Sequence, residues 1–212
     1  MKIALIGASG YVGKALLKEA ASRGHQVTAL VRHPDKVEKA DRVTAKAVDV
    51  NDRKALTDAI SGADVVVSAF NGGWGDPDIY KKHRAGSDAI REAAKAAGKR
   101  VIVIGGAGSL YAPDGTQFVD GEHFPKDYKD GALAARDALN DLKKEPTLDW
   151  TFLSPAFVLK PGERTGKYRL GAENPVFDSK GESSISVEDL SVAVLDEVEK
   201  PKHSRKRFTV GY

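Results

Sequence analysis

The chain opens with a short apolar run, Ile3-Ala4-Leu5-Ile6, that ends in Gly7-Ala8-Ser9-Gly10-Tyr11-Val12-Gly13. No other feature restricts the fold as much. Gly7 permits a tight turn out of a strand, Gly10 lets a pyrophosphate approach the backbone, and Gly13 lets the following helix pack closely on that strand. Phosphate oxygens would sit on the free N–H groups at the start of the helix, with Ser9, Tyr11 and Val12 also within the loop. The spacing is GxxGxxG rather than GxGxxG, so the strand–turn–helix context carries the inference.

The rest of the chain continues the alternation. Tyr11–Arg23 has Val12, Leu16 and Ala20 at helical spacing and stops at Gly24. Val27–Val31 and Val43–Val48 read as strands, and Asn51 as the N-cap of a helix over Asp52–Ile60. Val65–Phe70 is apolar almost throughout, as a strand covered on both faces should be. Helices over about Ile79–Ala97 and Lys129–Lys144 alternate with strands at Val101–Ile104 and Trp150–Leu153. Such alternation predicts an α/β fold: a Rossmann-like doubly wound parallel sheet. Short strands at Tyr168–Leu170 and Ile185, a capping box at Ser186–Asp189 opening a helix to about Lys200, and an edge strand at Phe208–Tyr212 follow. We expect one domain over residues 1–212, with a C-terminal elaboration from about 156 that covers a substrate.

Composition limits the alternatives. With 33 basic and 30 acidic residues the net charge is +3, too small an excess to argue for nucleic acid or an anionic membrane. The basic stretch Lys200–Arg207 reads as a solvated helix end. There is no cysteine, which removes thiolate metal sites and cysteine nucleophiles, and the five histidines are scattered singly, so no metal is expected. Gly7 interrupts the first apolar run too early for a signal peptide, and a cytoplasmic protein is expected. A monomer or homodimer is compatible with all of this.

In a doubly wound sheet, ligands bind at the carboxyl ends of the strands. About twenty residues past the glycines, where a ribose-binding acid would be expected, the chain has Arg32-His33-Pro34, which favours the 2′-phosphate of NADP over NAD. Asp49 and Val50 end strand three, where they would hold the adenine. Ala69, Phe70 and Asn71 end strand four beside the ribose. Gly106 and Ser109 follow strand five, and Pro155, Ala156 and Phe157 follow strand six, flanking the nicotinamide. Tyr-x-x-x-Lys is absent, so alcohol–ketone chemistry lacks its usual acid–base pair, and Gly-x-Ser-x-Gly and His-Glu-x-x-His are absent too. Glu122-His123 reads as solvent-exposed.

These motifs resemble the atypical short-chain dehydrogenase/reductase superfamily. More narrowly, the chain is similar to a bacterial group provisionally named NADH-flavin reductases, with NmrA-like proteins and biliverdin reductase B as more distant relatives. The resemblance rests on Gly7–Gly13, Gly105-Gly106-Ala107-Gly108-Ser109-Leu110, Trp150–Ala156, Pro161–Gly166, Ile185–Asp189 and Arg207–Tyr212. It implies an NAD(P)-binding Rossmann fold and reduction of a flavin or related acceptor. Arg32 and Asp49 would be cofactor contacts, and Ser109 the residue beside the nicotinamide.

The expected reaction is hydride transfer from NADPH to a flavin or quinone-like acceptor, the flavin being a free substrate rather than a tightly held cofactor. Ser109 would be the catalytic residue, and Phe70, Trp74, Tyr111 and Phe157 candidates for an aromatic acceptor surface. Two alternatives remain open: a non-enzymatic NADP-binding redox sensor, and a reductase or isomerase of a small carbonyl substrate.

Overall fold

In the computed structural model, which describes residues 1–212, β1 (Lys2–Ile6) is buried on both faces. Its alternation decides which residue serves which core. Ile3 and Leu5 join the cluster under α1 (Tyr11–Ser22) and α5 (Val187–Glu199), whereas Ala4 and Ile6 join the opposite one. That second layer is built by α2 (Arg53–Ile60), α3 (Ile79–Ala96) and α4 (Lys126–Lys143), through Leu56, Ile90 and Leu139 among others.

Around β1 stand β2 (Gln26–Val31), β3 (Val43–Ala47), β4 (Val65–Ser68), β5 (Arg100–Ile104) and β6 (Trp150–Ser154). Beyond the excursions β7 (Val158–Lys160), β8 (Arg169–Gly171) and β9 (Ser184–Ser186), β10 (Lys206–Gly211) returns to the same sheet. The order is β3-β2-β1-β4-β5-β6-β10-β8, parallel except for β8, which pairs antiparallel with β10. This is the expected Rossmann-like arrangement, with the reversal of strand order between β1 and β4. β7 and β9 form a separate parallel pair. No helix is long and apolar enough to cross a membrane.

Five local expectations are corrected. Asp52, not Asn51, caps α2, its side chain accepting from Ala55 N at 3.0 Å. Asn51 instead donates to Asp49 Oδ1. Helix α4 begins at Lys126 rather than Lys129; its first turn faces solvent and so carries no apolar periodicity to mark it in the sequence. Only half of the capping box forms: Ser186 Oγ accepts from Asp189 N, but the Asp189 carboxylate accepts from Gly166 N, Thr165 Oγ1 and Tyr212 Oη. Finally, Phe208–Tyr212 is not an edge. β8 covers β10, and Arg207, expected at a solvated basic end, has a side chain with 0% exposure.

Candidate functional site

The parallel registers bring the carboxyl ends level. Ile6 lies opposite Leu30 and Ser68, Ser68 opposite Val103, and Ile104 opposite Leu153. The turns after β1, β2, β4, β5 and β6 therefore open on one edge, which is where the expected site residues gather. A depression of about 430 Å³ lies at the opposite edge, between Lys2, Gln26 and Arg42. None of the expected site residues lines it, and it lies at the amino ends of β1 and β2 rather than at the carboxyl edge.

The glycine turn is built as its spacing requires. Gly7 has φ +77°, and a Cβ on it would come within 2.7 Å of the Ala69 carbonyl oxygen. A Cβ on Gly13 would lie 2.0 Å from the Gly7 carbonyl oxygen, a backbone collision that no rotamer relieves. Gly10 is the N-cap of α1 in extended conformation and supplies no capping side chain. Its N–H is held by Gly7 O and its carbonyl accepts from Lys14 N, while Tyr11, Val12 and Gly13 N–H find no acceptor within the chain. Three unpartnered donors at a helix start, with backbone in place of side chains around them, fit a pyrophosphate.

Arg32 directly follows β2, is exposed, and makes no ion pair or hydrogen bond within the chain. Asp49 is exposed and Val50 half-buried at the end of β3, with Asp49 Oδ1 engaged by Asn51. At the end of β4, Ala69 adjoins Gly7, and Asn71 Oδ1 accepts from Gly73 N at 2.8 Å. The Phe70 ring turns toward α3, stacked 5.7 Å from His83, and a Cβ on Gly86 would overlap it. His83 is buried, and its Nδ1 accepts from Gly72 N. Burial, reinforced by the Arg84 charge, pushes its pKa down to about 4.

Gly106 is half-buried at the end of β5, and Ser109 is 1% exposed. Ser109 Oγ donates to Gly106 O at 3.0 Å, lies 3.2 Å from Ser154 Oγ, and accepts from Arg207 Nη1 at 3.2 Å. Its hydroxyl is thus occupied inside the chain. Pro155 and Ala156 are buried at the end of β6, and Phe157 emerges beyond them, 40% exposed.

Of the other aromatic candidates, Trp74 packs over α4, edge-on to Tyr128 and against Gly131. Tyr111 lies beneath the Arg207 guanidinium, 5.7 Å from its ring centre. Glu122 and His123 are exposed.

Sequence reasoning missed Arg207, Ser154 and Glu173. Arg207 Nη1 donates to Ser109 O at 3.0 Å, and its Nε and Nη2 engage the Glu173 carboxylate. It also missed Phe118 and Phe177, which group with Phe157 although the three are far apart in the chain. One signal for Arg207 was available: its neighbours Phe208 and Val210 alternate as a buried strand does.

The sequence pattern of a family described as NAD(P)H-binding matches residues 7–201. The uncharacterised protein YwnB of Bacillus subtilis (strain 168) is 42% identical over 213 residues, spanning 99% of this chain and 98% of its own length. A solved structure from Bacteroides thetaiotaomicron, provisionally named an epimerase, shares 44% identity at a TM-score of 0.93, over 100% of this chain and 96% of that one. Another from Streptococcus pneumoniae, provisionally named an NADH-flavin reductase, shares 36% identity at a TM-score of 0.88, over 100% of this chain and 99% of that one.

Proposed function

The chain belongs to the NAD(P)H-binding family, and from that premise we propose that it is an oxidoreductase that uses NADPH to reduce a flavin or quinone-like acceptor. Gly7, Gly10 and Gly13 admit the pyrophosphate, which the N–H groups of Tyr11, Val12 and Gly13 hold. Arg32, without a partner of its own, takes the 2′-phosphate as a charge-assisted contact. Asp49 and Val50 border the adenine, Ala69, Phe70 and Asn71 the ribose, and Gly106, Pro155 and Ala156 the nicotinamide. The cofactor supplies the hydride.

The occupied hydroxyl of Ser109 is the observation that carries this reading. Its contacts with Gly106, Ser154 and Arg207 leave it no role as a proton donor, and no Tyr-x-x-x-Lys pair replaces it. A flavin or quinone needs none, since the reduced ring takes its proton from water. Ser109 therefore contributes by fixing the Gly106 backbone under the nicotinamide. The name of the Streptococcus pneumoniae relative supports the same class of acceptor.

Equilibrium titration with NADPH and NADH, then oxidation rates with FMN, FAD and a quinone, test the proposal. We expect tighter binding of NADPH, turnover with at least one of these acceptors, and loss of the NADPH preference in Arg32→Ser. Tight binding with no turnover would instead indicate a redox sensor. The epimerase name of the Bacteroides thetaiotaomicron relative favours a second reading, an isomerase of a small carbonyl or hydroxyl compound. It predicts turnover of such a compound without net consumption of NADPH.

A further inference from the structure

Phe118, Phe157 and Phe177 stand on three separate excursions, after β5, β6 and β8. The Phe118 and Phe157 ring centres are 4.7 Å apart at 69°, and those of Phe157 and Phe177 6.2 Å apart at 56°. Phe157 and Phe177 are 40% and 44% exposed, and Val158 beside them 39%. The group borders the Ser109 turn, since Phe118 N donates to Leu110 O and Gln117 Nε2 to Ser109 O.

We propose that these three rings form the docking wall for the planar conjugated ring of the acceptor, and that buried Arg207 is the positioning residue that holds the wall in register. The identity of the acceptor rests on the reductase reading above; the wall itself rests on the rings. Phe118 meets Phe157 edge to face and Phe177 is tilted against it, so no two of the rings are stacked face to face and ring faces stay open for a further flat ring. They expose roughly 200 Å² together, far less than the roughly 800 Å² per partner of a stable protein interface. A small flat ligand fits that area, and a second copy of the chain does not.

Arg207 bonds to each of the three segments that lead into the rings, through one carbonyl and two side chains. Nη1 holds the Ser109 carbonyl on the Phe118 excursion and lies 3.4 Å from Ser154 Oγ, just before Phe157. Its other nitrogens grip Glu173, just before Phe177. Glu173 O in turn accepts from Tyr111 N, and Asn174 Nδ2 donates to Tyr111 O, joining the first excursion to the third. A planar fork with five donors can serve these partners at once, whereas a lysine ammonium cannot reproduce its geometry.

The test is equilibrium binding of FMN and of menadione to the full chain, with and without NADPH, for wild type, Phe118→Ala, Phe177→Ala, Arg207→Lys and Glu173→Gln. Phe157 is left intact because it also adjoins the nicotinamide position. We expect each phenylalanine variant to bind the better probe about five- to tenfold more weakly, with NADPH affinity unchanged. Arg207→Lys and Glu173→Gln should each weaken the probe comparably, and Glu173→Gln carries the test where Arg207→Lys fails to fold. Wild-type probe affinity in both phenylalanine variants, or no binding of either probe to wild type under any condition, would overturn the wall. Conversion of a dimer to monomers by Phe177→Ala in sedimentation would overturn it in favour of a self-interface. Folded Arg207→Lys and Glu173→Gln proteins with unchanged probe affinity would remove Arg207 from the proposal. Probe binding by a wild type that does not bind NADPH would sink the cofactor reading and leave the wall standing.

Discussion

At the scale of single residues, Gly13 is the most constrained position in the cofactor turn. An added Cβ meets backbone atoms of Gly7 and Ala8, so relief requires α1 to move off β1. Gly13→Ala should cost roughly 1–3 kcal/mol of stability, as overpacking does, and should abolish NADPH binding. Denaturant unfolding and a titration check both. His83 offers a pH test. Its folded pKa of about 4 lies below its ordinary value near 6.5, so the unfolded chain takes up a proton that the folded chain refuses. Stability is fully present above pH 6.5 and falls by about 3 kcal/mol as pH drops toward 4. His83→Asn retains an acceptor for Gly72 N without the titration. Its unfolding free energy should change less than that of wild type between pH 6.5 and 4.5; equal slopes would rule out His83 as the source.

Among elements, α2 shows how one position in a cap matters. Asp52 Oδ1 holds Ala55 N, while Asn51 bonds only within its own turn. Asp52→Ala should therefore destabilise by about 1 kcal/mol, and Asn51→Ala by distinctly less. Chemical denaturation of the two variants side by side decides it, and the reverse ranking would return the cap to Asn51. The Asn-Asp pair gives both residues cap chemistry, so composition cannot choose between them; the backbone turn does. At α5 the box motif was legible in Ser186 and Asp189, but its second half was not. The Asp189 carboxylate is drawn to Gly166, Thr165 and Tyr212, partners that local spacing cannot reveal.

On the scale of the whole molecule, segment 161–166 is strapped across α1 and α5. Arg164 makes two hydrogen bonds to Glu19, which is buried and also bonded to Arg23. The Arg164 contact is the first cause holding the Glu19 carboxyl below its ordinary range. The contribution of Glu19 is thus present above about pH 4.5 and is lost as pH falls further. Glu19→Ala should cost about 1–2 kcal/mol, because Arg164 is exposed and Arg23 retains Asp196 and Glu199. Hydrogen exchange should quicken over 161–167 and stay unchanged in β1 and β4. Uniform acceleration would mean that Glu19 supports the core rather than the strap.

The sequence by itself determined the doubly wound sheet and the cofactor turn, because both rest on near-neighbour rules. The apolar run of β1, helical spacing from Val12 to Ala20 and the spacing of Gly7, Gly10 and Gly13 all act within a few residues. The carboxyl edge followed, since parallel strands must present their ends together. Only the tertiary structure decided the fate of Arg207 and of the three phenylalanines. A basic residue after Lys200 and Lys202 reads as solvated until β8 closes over β10 and Glu173, far back in the chain, supplies its counter-charge. Phe118, Phe157 and Phe177 share no local pattern, and their meeting depends on where three excursions return to one edge of the sheet. Burial and pairing across such separations are set by packing of the whole chain, which no local period encodes.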